Sequence, residues 1–364
     1  MRKSPPQRSV PIPRLLRLVT GIGAVVDALE ELSTDSAERL LAVHTGPRSG
    51  SGYATRLISL AGSRGVVLDE CVVDANTMAS VDHVCRLIDR AQPRYVIGIG
   101  GGRIIDVAKL AAARSNTDFV SIPTQASSDG LCSPVAVIVS ADGRPNSVGA
   151  RIPTGLVVDM EALRSAPPQT WRSGLGDLVS NVSAVRDWRD AHEDRSESID
   201  EFACLTSEAA ALSVVSEGAD LADVGYQSKL VRGLILSGIA MEMAGSSRPS
   251  SGSEHLISHA LDRLLDRPHL HGLQVAVATI ATTILRGEDA SWLVEFYSRV
   301  GLPATPAELG ISTDTFMESI RLGPSTRPGR STLLDDIDDE DLATLEAIYE
   351  RWPLSHVNLV PELS

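Results

Sequence analysis

Lysine is almost absent from this chain: Lys3, Lys109 and Lys229 are the only three among 33 basic residues, against 47 acidic ones. The formal charge of −14 in 364 residues excludes a phosphate backbone or an anionic membrane surface as partner, because both would be repelled. A small anionic ligand held by a local basic cluster stays open. Cysteine is scarce too. Cys71, Cys85, Cys132 and Cys204 form no CxxC pair and no disulfide framework, which fits reduced thiols and predicts a cytoplasmic protein. Long apolar runs are missing. Prolines, Arg14 and Arg17 interrupt the basic N-terminal stretch, so it has no signal-peptide core, and no later stretch approaches a membrane span.

What is present is ordinary globular material, 43% hydrophobic and 22% charged, in a length that favours two domains. Up to about residue 166, short β-rich runs alternate with helical patterns. "RLLAVHTG", "VVLDECVV", "RYVIGIGGG" and "FVSIPTQ" read as strands; "SGYATRLISLAGSRG", "ASVDHVCRLIDRAQ" and "RIIDVAKLAAARS" read as helices. Buried strands alternating with helices predict a Rossmann-like α/β domain with a parallel sheet covered on both faces. "SPVAVIVSADGRPNSVGARIPTGLVVDM" reads as a β-excursion with a hairpin turn at "ADGRPN" before the sheet ends. After "APPQTW" helical periodicity runs almost throughout, including "LGDLVSNVSAVRDWRDAHE" as one helix. The predicted division is residues 1–166 as a dinucleotide-binding domain and 167–364 as an all-helical one.

Three stretches carry chemistry. "VIGIGGGRIIDVAK" is a strand, a glycine run and a helix start, where close backbone approach and free N–H groups suit a pyrophosphate; a tight structural turn explains the glycines equally well. Within it, Asp106 and Lys109 can pair on the helix surface. "IPTQASSDGLCSP" places hydroxyls and Asp129 just beyond a strand's carboxyl end, where ligands of open α/β sheets bind. "SRPSSGSEHLISHALDRLLDRPHLHG" holds four of the eight histidines. His255 and His259 lie one helical turn apart, Pro268 ends that helix, and His269 and His271 follow. Asp177, in "SGLGDLVSN", reads as the cap of the second domain's first helix. Alternatively, Asp177, His255 and His271 form a two-nitrogen, one-oxygen set for a catalytic metal with an open position.

In this order and spacing, "GIGGGRIIDVAK", "SIPTQASSDGLCSP", "SGLGDLVSNVSAVRDW", "GSSRPSSGSEHLISHALD" and "HGLQVAVATI" resemble the sn-glycerol-1-phosphate dehydrogenases. These belong to the wider group of iron-containing alcohol dehydrogenases and dehydroquinate synthases, and the similarity runs from about Pro13 to "RPGRSTLLDDI". The resemblance implies a dehydroquinate synthase-like fold and zinc, or another divalent metal, on Asp177, His255 and His271. It also implies substrate contacts from Asp129 and His259. The nicotinamide dinucleotide, NADH or NADPH, would be lined by Gly101, Gly102, Arg103, Asp106, Thr124, Ser127 and Ser133. The implied reaction is reduction of dihydroxyacetone phosphate to sn-glycerol 1-phosphate, so the expected partner is a small phosphorylated three-carbon molecule, with a homo-oligomer as a further expectation. Arg248, Arg327 and Arg330 are the cations available for its phosphate, and Arg48, after the first of these strands, is the one that favours NADPH.

Two departures bear on the substrate. Leu273 stands where the family has Glu after the last ligand, and "RDAHEDRSESIDEF" is more charged than in relatives. A polyol dehydrogenase keeps the same site without a phosphate clamp. A cyclase of the dehydroquinate synthase type needs lysines this chain lacks, and a non-catalytic relative has no reason to keep all three ligands.

Overall fold

The computed structural model describes residues 12–33, 39–46 and 52–352. Among the described residues, eight strands, β1 (Leu15–Val19), β2 (Leu40–His44), β3 (Leu68–Val72), β4 (Tyr95–Gly100), β5 (Asp118–Pro123), β6 (Val135–Val139), β7 (Pro145–Gly149) and β8 (Gly155–Asp159), all precede the main helical part. Between the first five run α1 (Ile22–Leu32), α2 (Tyr53–Ser63), α3 (Met78–Ala91) and α4 (Gly102–Arg114). The helices that follow β8 are α5 (Met160–Arg164), α6 (Pro168–Val179), α7 (Asn181–Arg195), α8 (Glu201–Val214) and α9 (Val224–Ala244). They continue as α10 (Ser253–Leu264), α11 (His271–Leu285), α12 (Ser291–Val300), α13 (Thr313–Thr326) and α14 (Asp339–Glu350).

Six strands form one parallel sheet in the order β3-β2-β4-β5-β8-β1. The strands expected in the alternating segment are β2, β3, β4 and β5. Their continuous apolar runs have a simple cause, since alternate residues enter different cores. Leu40, Ala42, Tyr95, Ile97 and Ile99 pack with α1 and α2, whereas Leu41, Val43 and Val96 pack with α3 and α4. β1 was not expected. It is an edge strand with only Leu15 fully buried, so Arg14 and Arg17 are tolerated on it.

The β-excursion is partly corrected. "ADGRPN" does turn a two-stranded antiparallel hairpin, β6–β7. The residues after it, "GLVVD", are not an appendage: β8 inserts between β5 and β1 with all five residues buried. The single helix expected over 175–193 is two, because α6 ends at Val179 and α7 starts at Asn181. Between them the Ser180 hydroxyl donates back to the Asp177 carbonyl at 2.7 Å, the local competition by which serine interrupts helices.

This topology fixes where a ligand can enter. The chain goes from β2 outward to β3 and returns to β4 on the other side of β2, so a crevice opens at the carboxyl ends of β2 and β4. The β4–α4 glycine turn stands at that crevice. The helices from α6 onward pack around a third, larger core.

Candidate active site

The β4–α4 turn is shaped by contacts that exclude side chains. At Gly98 a Cβ would meet Ala108 at 3.1 Å, so α4 sits close on the strand, and at Gly101 it would meet the Gln125 amide oxygen at 2.8 Å. Gly102 starts α4 and faces open space, leaving its free N–H groups and positive end accessible. Thr124 N donates to Gly100 O at 2.9 Å, which brings the segment after β5 alongside this turn. Gly101, Gly102, exposed Arg103, Thr124 and Ser127 therefore gather at one edge of the crevice.

Two other residues expected at the dinucleotide are engaged elsewhere in the structure. Asp106 is buried, 3.6 Å from the Lys109 ammonium, and burial raises its carboxyl to about 6. Ser133 is buried, with its hydroxyl donating to Val135 O at 3.4 Å. The Asp106–Lys109 pair was expected on the helix surface and is instead internal. Lys109 is 1% exposed and donates to Gly130 O and Val135 O, both at 2.7 Å. It pins the Asp129 loop and the hairpin to α4. Arg48 lies outside the described residues.

The histidine stretch folds as its spacing requires. His255 and His259 lie one turn apart on α10, which ends at Leu264, before Pro268; His271 is the first residue of α11. Asp177 corrects the expectation of a helix-start cap. It lies in the last turn of α6, where a carboxylate opposes the helix dipole and has no capping role. Its position comes from a close helix crossing. A Cβ on Gly272 would stand 1.8 Å from Ser173 O, and one on Gly176 would stand 2.2 Å from Gly272 O. Only glycine lets α6 and α11 approach so closely. Ser173 ties the crossing to the loop after β5, donating to Ser127 O at 2.8 Å and accepting from Gly272 N at 3.2 Å.

The result is a cluster in which ligand atoms of Asp177, His255 and His271 lie within 4.8 Å of one another. Asp177 Oδ1 is 3.7 Å from His255 Nε2 and 3.6 Å from His271 Nε2. Metal–ligand bonds of about 2.0–2.1 Å in a tetrahedron put donor atoms about 3.4 Å apart, close to what is found. The opposite atoms are all engaged. His255 Nδ1 faces Glu254 Oε1 at 2.9 Å, His271 Nδ1 faces the Ser258 hydroxyl at 3.1 Å, and Asp177 Oδ2 accepts from Asp129 N at 2.9 Å. Fixing the far nitrogen of each imidazole aims the near one inward.

The electrostatics agree. Burial raises the Asp177 carboxyl to about 7, and burial followed by the neighbouring Asp177 raises Asp129 to about 7. Burial holds His255 and His259 well below the usual imidazole range and lowers His271 as well. Neutral imidazoles around a buried carboxyl with no cation of its own are a donor set that fits a divalent ion.

His259 stands beside the cluster, its ring 6.2 Å from His271 and 6.3 Å from His255. No hydrogen-bond partner for its ring is found among the described residues. Asp129 Oδ2 accepts from Ser237 at 2.8 Å, and Ser237 is held in turn by Asn181 and Ser250. The three arginines separate. Arg248 is neutralised by a two-pronged contact with Glu197. Among the described residues, the Arg327 and Arg330 guanidinium groups meet only Ser247 Oγ, at 2.9 and 3.1 Å, and the Ser251 carbonyl. Burial and the adjoining arginines push Arg330 down to about 9, and both guanidinium charges depress His255 and His259. Glu254, Ser258, Ser237 and the glycines of the α6–α11 crossing belong to this site and went unnoticed in the sequence.

A parallel sheet with a ligand crevice, continued by a helical part that gathers these donors, is the architecture of the iron-containing alcohol dehydrogenase class. The family model described as iron-containing alcohol dehydrogenase matches residues 22–167. Over 332 residues the chain is 37% identical to the glycerol-1-phosphate dehydrogenase [NAD(P)+] of Methanothermobacter thermautotrophicus, covering 90% of this chain and 94% of that protein. The protein of the same description from Pyrococcus furiosus is 40% identical over 266 residues, 72% of this chain and 76% of its own length. The chain belongs to the glycerol-1-phosphate dehydrogenase family. Among solved structures, a probable glycerol dehydrogenase from Sinorhizobium meliloti 1021 superposes with a TM-score of 0.73 at 21% identity, covering 94% of this chain and 99% of that one. The glycerol dehydrogenase of Schizosaccharomyces pombe gives 0.71 at 19%, over 97% and 95%. Both share the dehydroquinate synthase-like fold.

Proposed function

We propose that this chain reduces dihydroxyacetone phosphate to sn-glycerol 1-phosphate with NADH or NADPH, using a divalent ion held by Asp177, His255 and His271. Two imidazoles and one carboxylate with an open position favour zinc. A divalent ion held there would supply Lewis acidity towards a carbonyl oxygen, and a reduced nicotinamide would supply hydride. The remaining work falls to the protein. Gly101, Gly102, Arg103, Thr124 and Ser127 receive the dinucleotide at the crevice. Asp129, oriented by Ser237, accepts from the substrate hydroxyl. His259, neutral and without a partner, passes a proton between water and the substrate oxygen. The names of the relatives, glycerol-1-phosphate dehydrogenase [NAD(P)+], support both substrate and cofactor.

The observation that carries the reading is the Arg327–Arg330 pair. Two largely buried guanidinium groups without a carboxylate partner among the described residues, felt by the imidazoles of the site, form a cation pair awaiting an anion. A glycerol dehydrogenase has no use for it. Replacing Arg330 by Met should lower kcat/KM for dihydroxyacetone phosphate about 10–100-fold, the worth of one charged hydrogen bond to phosphate. Turnover of unphosphorylated dihydroxyacetone should change little. Equal or higher wild-type turnover of dihydroxyacetone would refute the phosphate reading.

A further inference from the structure

The charged stretch "RDAHEDRSESIDEF", residues 189–202, supplies no ligand of the proposed metal site and no residue of the dinucleotide crevice. It does supply Glu197, and the fold takes trouble to place it. α7 ends at Arg195, and Ser196 turns the chain back with φ at 55°, a conformation that residues with a side chain seldom adopt. The turn is held on three sides. Glu197 N donates to Ala191 O at 3.2 Å, His192 Nδ1 faces Glu197 O at 2.7 Å, and Trp188 Nε1 donates to Ser198 O at 3.0 Å. So fixed, the Glu197 carboxylate takes two prongs of Arg248. Nε donates to Oε1 at 2.7 Å, and Nη2 meets Oε2.

Arg248 belongs to the same pocket as Arg327 and Arg330. It opens the short turn Arg248–Ser250 between α9 and α10. The residue before it, Ser247, is the hydroxyl that accepts from both other arginines, and Ser251 just beyond the turn accepts from Arg330. In return, Arg248 Nη1 donates at 2.6 Å to Ser331 O, next in the chain after Arg330. Three guanidinium groups are thus laced to one turn. They feel one another, since Arg248 adds to the burial that depresses Arg327 and Arg330, and Glu197 acts on Arg330 in the opposite sense. With its side chain 4% exposed, Arg248 has little water to screen its charge. Among the described residues, Glu197 is the one carboxylate in contact with any of the three. Glu254, which Arg330 also feels, is already taken by Gly252 N and His255 Nδ1.

The consequence is a matter of charge. Three guanidinium groups and one carboxylate leave two positive charges, matched to a phosphate monoester of about −1.5 to −2 at neutral pH. A third uncompensated cation would grip the phosphate of substrate, product and free inorganic phosphate alike. Such uniform binding lowers KM without raising kcat.

We propose that Glu197 is a specificity-determining residue: by taking up Arg248 it holds the anion pocket at two positive charges and so sets how tightly phosphate is gripped. This rests on the phosphate reading of the Arg327–Arg330 pair. Titration calorimetry of the full chain with inorganic phosphate, beside KM for dihydroxyacetone phosphate, tests both. Wild type should bind phosphate, and Arg330→Met should weaken that about 10–100-fold. Glu197→Gln keeps an acceptor for Arg248 and removes the charge. It should bind phosphate about tenfold more tightly and lower KM in step, with no gain in kcat. Arg248→Met should weaken binding by about as much, because the acid is left unpaired. The double variant Glu197→Gln/Arg248→Met loses both charges and should return to within about threefold of wild type. It carries no unpaired buried charge, so it tests the idea even where a single variant folds poorly. An ion pair that served only the fold would weaken binding in all three. Phosphate bound no more tightly by Glu197→Gln, or a double variant as weak as Arg248→Met, overturns the proposal and leaves the Arg327–Arg330 reading standing. A wild type that binds no phosphate overturns both.

Discussion

At the scale of single residues, the proposed metal site depends on atoms that point away from it. The three residues of the proposed metal site could be picked out because a His pair at helical spacing, a third His past a proline and an Asp in a fixed motif are recognisable types at recognisable distances. Their supports could not. Glu254 precedes His255 directly, and neighbours in sequence on a helix do not normally face each other. It reaches the imidazole because it sits in the first turn of α10, where its carboxylate curls back to accept from Gly252 N at 2.7 Å and meets His255 Nδ1 at 2.9 Å. Leu273, the departure from the family pattern, leaves His271 near another acid. Ser258 holds His271 Nδ1, and Gln274 Nε2 donates to both Ser258 Oγ and Asp262 Oδ1 at 3.0 Å. Glu254→Gln keeps the shape and removes the charge behind the ligand. It should weaken binding of zinc, measured by competition with a chromophoric chelator, about 10–100-fold. Unchanged zinc affinity would show that Glu254 serves only the turn.

Elements tell a different story about legibility. Strands β2 to β5 and the helices between them follow directly from apolar runs alternating with helical periods. β1 and β8 escape such a reading, because an edge strand need not be apolar and because only long-range pairing reveals β8 as internal. The break between α6 and α7 was hidden as well, since Ser180 is a residue helices otherwise tolerate. Least visible was the crossing of α6 and α11, which turns on Gly176 and Gly272. Each is unremarkable in sequence, yet their contact brings Asp177 to His271. Gly272→Ala should force the helices apart, costing at least about 1–3 kcal/mol as overpacking does, and should weaken metal binding with it. Gly23→Ala in α1, where a Cβ meets nothing within 4 Å, is the matching control and should be neutral or slightly stabilising. Wild-type metal affinity in Gly272→Ala would detach the crossing from the site.

For the molecule as a whole, the buried cluster couples stability to pH and to metal. Folding raises the Asp129 and Asp177 carboxyls from about 3.9 to about 7. Stability from such groups is full below the unfolded value and is lost as pH climbs through the folded one, because the unfolded chain releases those protons first. The imidazoles act oppositely. Burial lowers them in the folded chain, so below about 6.5 the unfolded chain takes up protons that the folded one refuses. The two effects offset each other at mildly acidic pH. Above about 6.5 the imidazoles are neutral in both states and only the carboxyls still titrate, so the metal-free chain should lose stability between pH 6.5 and 8. Metal binding runs the other way. With the histidines already neutral, the proton that an incoming cation must displace is the one on Asp177, and that displacement becomes easier as pH rises. The gap in melting temperature between zinc-saturated and metal-free protein should therefore widen steadily from pH 6 to pH 8. Calorimetry at pH 6 should find about one proton released per zinc bound, and at pH 8 almost none. A gap that stays constant across this range, with no proton released at pH 6, would mean that Asp177 is already ionised and that its burial is compensated by something other than the metal.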